Sequence, residues 1–192
     1  MTFVYLRKIF HFSAIVLPIL YYYTSQVAIV IILIIANFVI LTLDINRHYN
    51  IKIQYLVDKF FKPIMKEGEY SGSKSLSGMS YMFLAFLLTA IFFQVHKVII
   101  SWLILVVSDS SASLIGEKYG TKTRYGKSFL GSAVFFLSAF VVYLISSTFL
   151  DLHLPFVSTV FAILLTTLAE FYSKSLNIDD NFLVPVVFCL MA

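Results

Sequence analysis

Residues 12–43 form an apolar run without a single charged side chain, and this run constrains the fold more than any other feature of the chain. A helix needs about 20 apolar residues to cross the hydrocarbon core of a bilayer. The run breaks near Thr24 and Ser25, so it predicts two consecutive helices. Only 12% of the residues are charged, whereas soluble domains carry about 25%. We therefore predict an integral membrane protein.

Further apolar runs continue this pattern to the end of the chain. They cover residues 75–96, 98–116, 128–150, 155–170 and 182–192, and the last of them is short for a membrane span. Together the runs predict the all-α class: a polytopic membrane bundle of about seven transmembrane helices. Residues 1–192 are expected to form a single domain.

The basic residues predict the orientation. If the helices alternate in direction, all 14 Lys and Arg residues except Lys97 fall on the same side as the N-terminus. The positive-inside rule places that side in the cytoplasm. We expect the candidate site on the cytoplasmic face, in the plasma or inner membrane if the organism is prokaryotic.

Residues 44–77 form a polar loop on this cytoplasmic side, with an amphipathic helix inside it. Apolar residues recur at helical spacing, and charged residues occupy the other side: Ile53, Leu56, Val57, Phe60, Phe61 and Ile64 against Lys52, Asp58, Lys59, Lys62 and Lys66. Such a helix lies in the membrane interface, with its lysines near anionic headgroups. Glu67 follows it; its plainest interpretation is a solvated loop charge.

Residues 108–132 carry the strongest functional signal. An acid, Asp109, lies inside an apolar run, and acids at membrane depth are costly and usually functional. Glycines and cations follow it: Gly116, Gly120, Gly126 and Gly131, interleaved with Lys118, Lys122, Arg124 and Lys127. Glycines allow a close approach to a ligand, and cations between them attract phosphate. The stretch predicts a site for a polyphosphate and a divalent metal, with Asp109 as a magnesium ligand and Lys127 on phosphate.

A third group, Glu170, Asp179, Asp180 and Asn181, is predicted on the same membrane side. One acid before an apolar helix is explained as an N-cap, but four polar residues could complete a metal or substrate-hydroxyl site. Other classes of site are not supported. The spacing of a Walker A loop is absent, no paired His and Cys pattern indicates zinc, and no basic soluble module indicates nucleic-acid binding.

These motifs, taken in order, resemble the CTP-dependent lipid kinases, a family that includes dolichol (polyprenol) kinase, phytol kinase and the CTP-using diacylglycerol kinase. The resemblance is carried by Arg7-Lys8-x-x-His11, Glu67 with Ser71-Gly72, Asp109-x-x-Ala112-x-x-x-Gly116-x-x-x-Gly120, Gly126-Lys127-Ser128-x-x-Gly131-Ser132, and Asp179-Asp180-Asn181 with Pro185. One departure is Leu130, where family members often carry an acid. The family is distantly similar to CDP-diacylglycerol synthase, but the terminal signature of that synthase is missing here.

The resemblance implies transfer of the γ-phosphate of CTP, or another nucleoside triphosphate, to the hydroxyl of a membrane lipid alcohol such as a polyprenol, phytol or diacylglycerol. It implies Mg²⁺ on Asp109 and Asp180, and catalytic roles for Asp109, Glu67, Lys127 and Asp180. Glu67 or Asp109 would receive the proton of the alcohol. The triphosphate would contact Gly116, Lys118, Gly120, Gly126, Lys127, Ser128 and Gly131.

Two other functions remain open from the sequence. One is a cytidylyltransferase that forms a CDP-lipid and releases pyrophosphate. The other is a transporter or scaffold without turnover, which predicts charges along a path at mid-bilayer and symmetry between halves of the chain. The sequence does not fix the lipid alcohol, the nucleotide, the oligomeric state or the role of each acid.

Overall fold

The structure is a computed structural model that describes residues 9–61, 76–123 and 125–192. These residues form eight helices and no strand, which confirms the all-α class. The helices are α1 (Ile9–Tyr23), α2 (Gln26–Asn46), α3 (Ile51–Phe61), α4 (Gly78–Phe92), α5 (Val95–Tyr119), α6 (Phe129–Phe149), α7 (Phe156–Tyr172) and α8 (Asp180–Met191).

Seven of the eight helices correspond to the apolar runs, and the eighth, α3, corresponds to the amphipathic segment. Three of them, α2, α5 and α6, are long and apolar enough to cross a membrane. The other four apolar helices are shorter: α1, α4, α7 and α8. The chain therefore has candidate membrane-spanning helices, while the seven crossings and the cytoplasmic N-terminus stay predictions.

Helix α5 lies at the centre of the bundle. In its most apolar window 67% of the residues are buried inside the protein, against 22% in α2 and 33% in α6. It packs against α1, α4, α6 and α8. Because the exposed side chains of α2 and α6 are large and apolar, these two helices present the surface that a bilayer would cover.

The core is anchored by Trp102 of α5. Its indole ring stacks on Phe86 of α4 with the ring centroids 4.3 Å apart, and it contacts Tyr21 of α1 at 5.4 Å. The indole Nε1 donates a hydrogen bond of 2.9 Å to the Thr89 hydroxyl. A buried tryptophan of this kind needs a partner for its N–H, and the contact fixes α4 against α5.

A buried carboxylate joins the end of α2 to the start of α4. Asp44 accepts hydrogen bonds from the Ser77 backbone N–H (2.6 Å) and the Ser80 hydroxyl (2.5 Å), and its other oxygen pairs with Arg47 Nε at 2.8 Å. Asp44 and Arg47 are both buried. Helix α2 continues past the start of the predicted polar loop at residue 44, and its last turn belongs to the packed bundle.

Candidate active site

Three carboxylates from three helices converge at one end of the bundle. Asp109 lies within α5, Glu170 lies near the end of α7, and Asp180 begins α8. One oxygen from each lies within 4.8 Å of the others, and Asp109 and Glu170 are buried while Asp180 is half-buried. Three carboxylates at this spacing repel one another, so they need a cation between or beside them.

Lys127 supplies a cation at this position. Its Nζ donates to Glu170 Oε1 and, at 2.7 Å, to Asp180 Oδ2. Burial alone would lower the pKa of the Lys127 ammonium, but the charges of Asp180, Asp109 and Glu170 outweigh burial and hold that pKa above its ordinary value. Lys127 is therefore charged at every physiological pH.

Asp109 lies at the end of an irregular segment of α5. Residues Leu105–Asp109 form a π-helix between two regular α-helical segments. A π segment places about one extra residue in a helical turn. Such segments are rare in proteins, and those that occur are often at functional sites. No sequence pattern that we used predicts it.

A tight turn presents Lys127 to the acids. The Thr123 N–H donates to the Lys127 carbonyl (2.8 Å), and the Gly126 N–H donates to the Thr123 carbonyl (2.9 Å). Gly126 has a φ of 74°, in the left-handed region that glycine adopts without the steric cost of a side chain. The glycine therefore shapes the turn that carries the lysine.

The other three glycines of the predicted phosphate loop lie in the contact between α5 and α6. A Cβ on Gly116 would be 3.1 Å from Gly131 Cα, and a Cβ on Gly131 would be 3.1 Å from the Ala112 carbonyl oxygen. A Cβ on Gly120 would be 2.6 Å from Ser128 Cβ. Ser128 itself caps α6 by accepting from the Gly131 N–H at 3.0 Å. Close packing accounts for these glycines, and phosphate contact at them remains a prediction.

The three residues of the Asp-Asp-Asn run make different contacts. Asp179 caps α8, since its side chain accepts from the Asn181 backbone N–H at 3.0 Å. Asp180 enters the carboxylate cluster. The Asn181 side chain donates to Asp179 Oδ1 at 2.8 Å, and its Oδ1 contacts His11 Nε2 at 2.9 Å.

His11 joins α1 to two of the three acid-bearing helices, α5 and α8. Its Nδ1 lies 3.2 Å from the hydroxyl of Ser110, the residue after Asp109, and its Nε2 contacts Asn181, the residue after Asp180. Because Asn181 Oδ1 can only accept, Nε2 of His11 must carry the proton. The Arg7-Lys8-x-x-His11 motif was a weak signal in the sequence, and we gave His11 no role there.

The remaining predicted site residues lie apart from the cluster or outside the described residues. Lys118 lies over the ring of Tyr119, 4.9 Å from its centroid, in the exposed last turn of α5. Glu67 and Arg124 lie outside the described residues. Glu170, which the sequence analysis grouped with the Asp-Asp-Asn run but gave no individual catalytic or metal-binding role, contacts Lys127 directly.

The fold and the site together define an all-helical protein with candidate membrane-spanning helices and a buried cluster of three carboxylates and one lysine. The chain belongs to the same family as "Uncharacterized protein RP860" of Rickettsia prowazekii (strain Madrid E). The two are 42% identical over 184 residues, which cover 96% of this chain and 90% of that protein.

A more distant relative is "Uncharacterized protein MJ1137" of Methanocaldococcus jannaschii. It is 27% identical over 166 residues, 81% of this chain and 80% of that protein. No family model matches the chain, and no solved structure matches it.

Proposed function

We propose that the protein is a membrane lipid kinase that transfers the γ-phosphate of CTP, or of another nucleoside triphosphate, to the hydroxyl of a lipid alcohol. The observation that carries the proposal is the convergence of Asp109, Glu170, Asp180 and Lys127 from three helices and one turn. Phosphoryl transfer requires positioning and charge neutralisation more than covalent chemistry, and a cluster of acids and a lysine suits both needs.

The donor set fits magnesium. Mg²⁺ prefers oxygen ligands, and it usually takes one or two carboxylates together with phosphate oxygens. Asp109 and Asp180 would hold the ion, and Glu170 is placed to act as a third ligand or as an acceptor for a metal-bound water. When bound, the ion would offset the negative charge of the phosphates. Lys127 would contact the same phosphates as a point charge.

In the proposed reaction, the lipid hydroxyl oxygen bonds to the γ-phosphorus. The bond from that phosphorus to the bridging β–γ oxygen breaks, and the nucleoside diphosphate leaves with its electron pair. The alcohol proton passes to a carboxylate, for which Asp109 is the described candidate and Glu67 the other predicted one. A carboxylate close to the acceptor hydroxyl can do this in one step.

An apolar groove between α1, α5 and α6 supports a lipid as the acceptor. The groove has a volume of about 560 Å³ and lies between α1, α5 and α6, with Val107, Val134, Leu137, Val141 and Ile145 in its lining. Val107 precedes Asp109 by two residues. Along α6 the lining runs from Val134 to Leu150, about 24 Å at the helical rise. A hydrocarbon chain in this groove would bring its hydroxyl end towards the carboxylates.

The test is an assay of the purified protein in detergent micelles with Mg²⁺ and γ-labelled CTP or ATP. Diacylglycerol, a polyprenol and phytol are offered separately, and label in the lipid fraction is measured. We expect transfer to one lipid class, reduced by about 100-fold or more in Asp109→Asn. Asp151→Asn is the matched control, because Asp151 is exposed and has a φ of 50°, which asparagine tolerates.

Two outcomes would contradict the kinase proposal. Release of pyrophosphate with a lipid phosphate as acceptor would favour the cytidylyltransferase, because a kinase releases a nucleoside diphosphate instead. The absence of both reactions, with the melting temperature of the protein unchanged in the assay buffer, would favour a transporter or scaffold.

A further inference from the structure

Lys127 lies against the three-carboxylate cluster whose oxygens could hold a divalent cation. Its Nζ contacts Glu170 and Asp180 directly, and the charge of Asp109 also acts on it. Lys127 follows Gly126 in the turn, and its aliphatic side chain carries the ammonium from this turn to the acids. The ammonium thus pairs with acids from two helices and feels the charge of a third acid from another helix.

The spacing of the oxygens fits an ammonium and, after a small contraction, a magnesium ion. Three oxygens that are all 4.8 Å apart, the widest spacing present here, lie about 2.8 Å from the centre of their triangle. This is the usual length of a hydrogen bond from an ammonium to a carboxylate, about 2.7–2.9 Å. Mg²⁺ requires about 2.1 Å, so each oxygen would move inward by at most about 0.7 Å. An ion held by these oxygens would take over the carboxylates of Glu170 and Asp180 that the ammonium now contacts.

We propose that Lys127 is a tethered counter-ion that fills the cation position of the site and is displaced from it when a divalent cation binds. The inference rests on the proposed metal site and adds a second state of the lysine. Displacement frees the ammonium for an anionic group bound beside the metal, such as the phosphate chain of a nucleotide. The metal and the phosphates would then bind with positive coupling, since the first removes the lysine from the acids and the second gives it a new partner.

Competition by an attached group weakens the apparent affinity of the site for the metal. The apparent Kd is the intrinsic Kd divided by the fraction of molecules in which the position is open. A lysine with two hydrogen bonds to carboxylates would leave the position open in about a tenth of the molecules or fewer. Removal of the ammonium should therefore tighten metal binding by about tenfold or more.

The experiment measures Mn²⁺ binding to the purified protein in detergent, with free Mn²⁺ followed by its paramagnetic resonance signal and with no nucleotide or lipid present. We expect Lys127→Met to bind Mn²⁺ at least about tenfold more tightly than the wild type. Lys122→Met is the matched control. It removes one positive charge from an exposed position of the same loop, and we expect a change of less than about threefold. Asp109→Asn should weaken binding in both backgrounds.

A second measurement uses the wild-type protein and does not depend on the folding of a variant. Acetylation of lysines by a water-soluble anhydride is quantified by mass spectrometry with and without Mn²⁺. We expect the modification of Lys127 to rise about fivefold or more with Mn²⁺, because its amine leaves the carboxylates. The modification of Lys122 should not change.

The outcomes separate this inference from the proposed function. Mn²⁺ binding that is lost in Asp109→Asn but is unchanged or weaker in Lys127→Met, with no rise in acetylation of Lys127, would overturn the displacement and leave the metal site standing. If neither the wild type nor Lys127→Met binds Mn²⁺ in a manner that depends on Asp109, both the displacement and the metal site are wrong.

Discussion

Replacement of Gly120 by alanine tests whether this glycine serves helix packing or ligand contact. The added Cβ would lie 2.6 Å from Ser128 Cβ and 2.7 Å from the Gly116 carbonyl oxygen, where ordinary contacts begin at 3.4 Å. The start of α6 would have to move away from the end of α5 by about 0.8 Å, the difference between these distances. Gly120 has a φ of −92° and a ψ of 148°, which alanine adopts freely, so the cost comes from the contact alone.

Two opposing effects determine how much the free energy of unfolding changes in Gly120→Ala. Overpacking of a close contact costs about 1–3 kcal/mol. The smaller conformational freedom of alanine in the unfolded chain returns about 0.4–1 kcal/mol. The net loss in the free energy of unfolding is therefore about 1–2 kcal/mol. For a chain of this size it corresponds to a fall of about 2–8 °C in the melting temperature.

The assay is thermal melting in detergent, followed by the fluorescence of Trp102, which is the sole tryptophan and lies in the core. Thr121→Ala is the control at the adjacent exposed position. In Gly120→Ala, the further change Ser128→Gly removes the two clashing Ser128 atoms and leaves the contact with the Gly116 carbonyl oxygen. Glycine is tolerated as an N-cap at a cost of a few tenths of a kcal/mol, so the double variant should recover part of the loss. An unchanged melting temperature in Gly120→Ala would refute the packing argument, and lost activity at that unchanged temperature would indicate ligand contact instead.

Three further predictions concern the polar contacts of the bundle. His11→Ala should lower the melting temperature and weaken Mn²⁺ binding several-fold, whereas His11→Gln should retain part of both because its amide can still donate to Asn181; equal loss in the two variants would contradict a positioning role. The pKa of Lys127 is raised above its ordinary 10.5, so the charged lysine contributes its full share of the stability below pH 10.5 and loses it only at higher pH. The difference in melting temperature between the wild type and Lys127→Met should therefore stay constant from about pH 7 to pH 9. A difference that shrinks within that range would contradict this prediction. Asp44→Asn removes the carboxylate charge that pairs with buried Arg47 and should cost about 3–5 kcal/mol in thermal or denaturant unfolding; a loss below about 1 kcal/mol would show that the ion pair contributes little.

The helices could be predicted from sequence because hydrophobic runs report them directly. Each of the apolar runs corresponds to a helix, and the periodic apolar residues of the polar loop correspond to α3. The π segment Leu105–Asp109 could not be predicted, because its side chains are those of an ordinary buried helix and only the backbone differs. The pairing of Asp44 with Ser77 also escaped, since it depends on how α2 and α4 meet rather than on local pattern.

The candidate site was predicted in part, for a similar reason. Asp109 was selected as an acid inside an apolar run, Lys127 as a cation among glycines, and Asp180 as part of the Asp-Asp-Asn run; the fold brings all three together. Glu170 was an acid at the end of an apolar run, but spacing alone could not show that α7 delivers it to the same point. Glycine was the least specific signal. The same residue type serves a left-handed turn at Gly126 and a close helix contact at Gly116 and Gly131, and composition does not distinguish these uses from phosphate contact.

The site concentrates features that cost stability. Two buried acids and a third half-buried one gather at one point, and Lys127 pairs directly with Glu170 and Asp180. Replacing buried ionic groups with well-packed apolar residues is often neutral or stabilising. A π segment within α5 and a left-handed turn at Gly126 are further departures from the most stable local geometry. Packing alone gives no reason to gather all of these at one point of an otherwise apolar bundle. A divalent cation held by these acids, together with a phosphate group that contacts Lys127, would supply that reason.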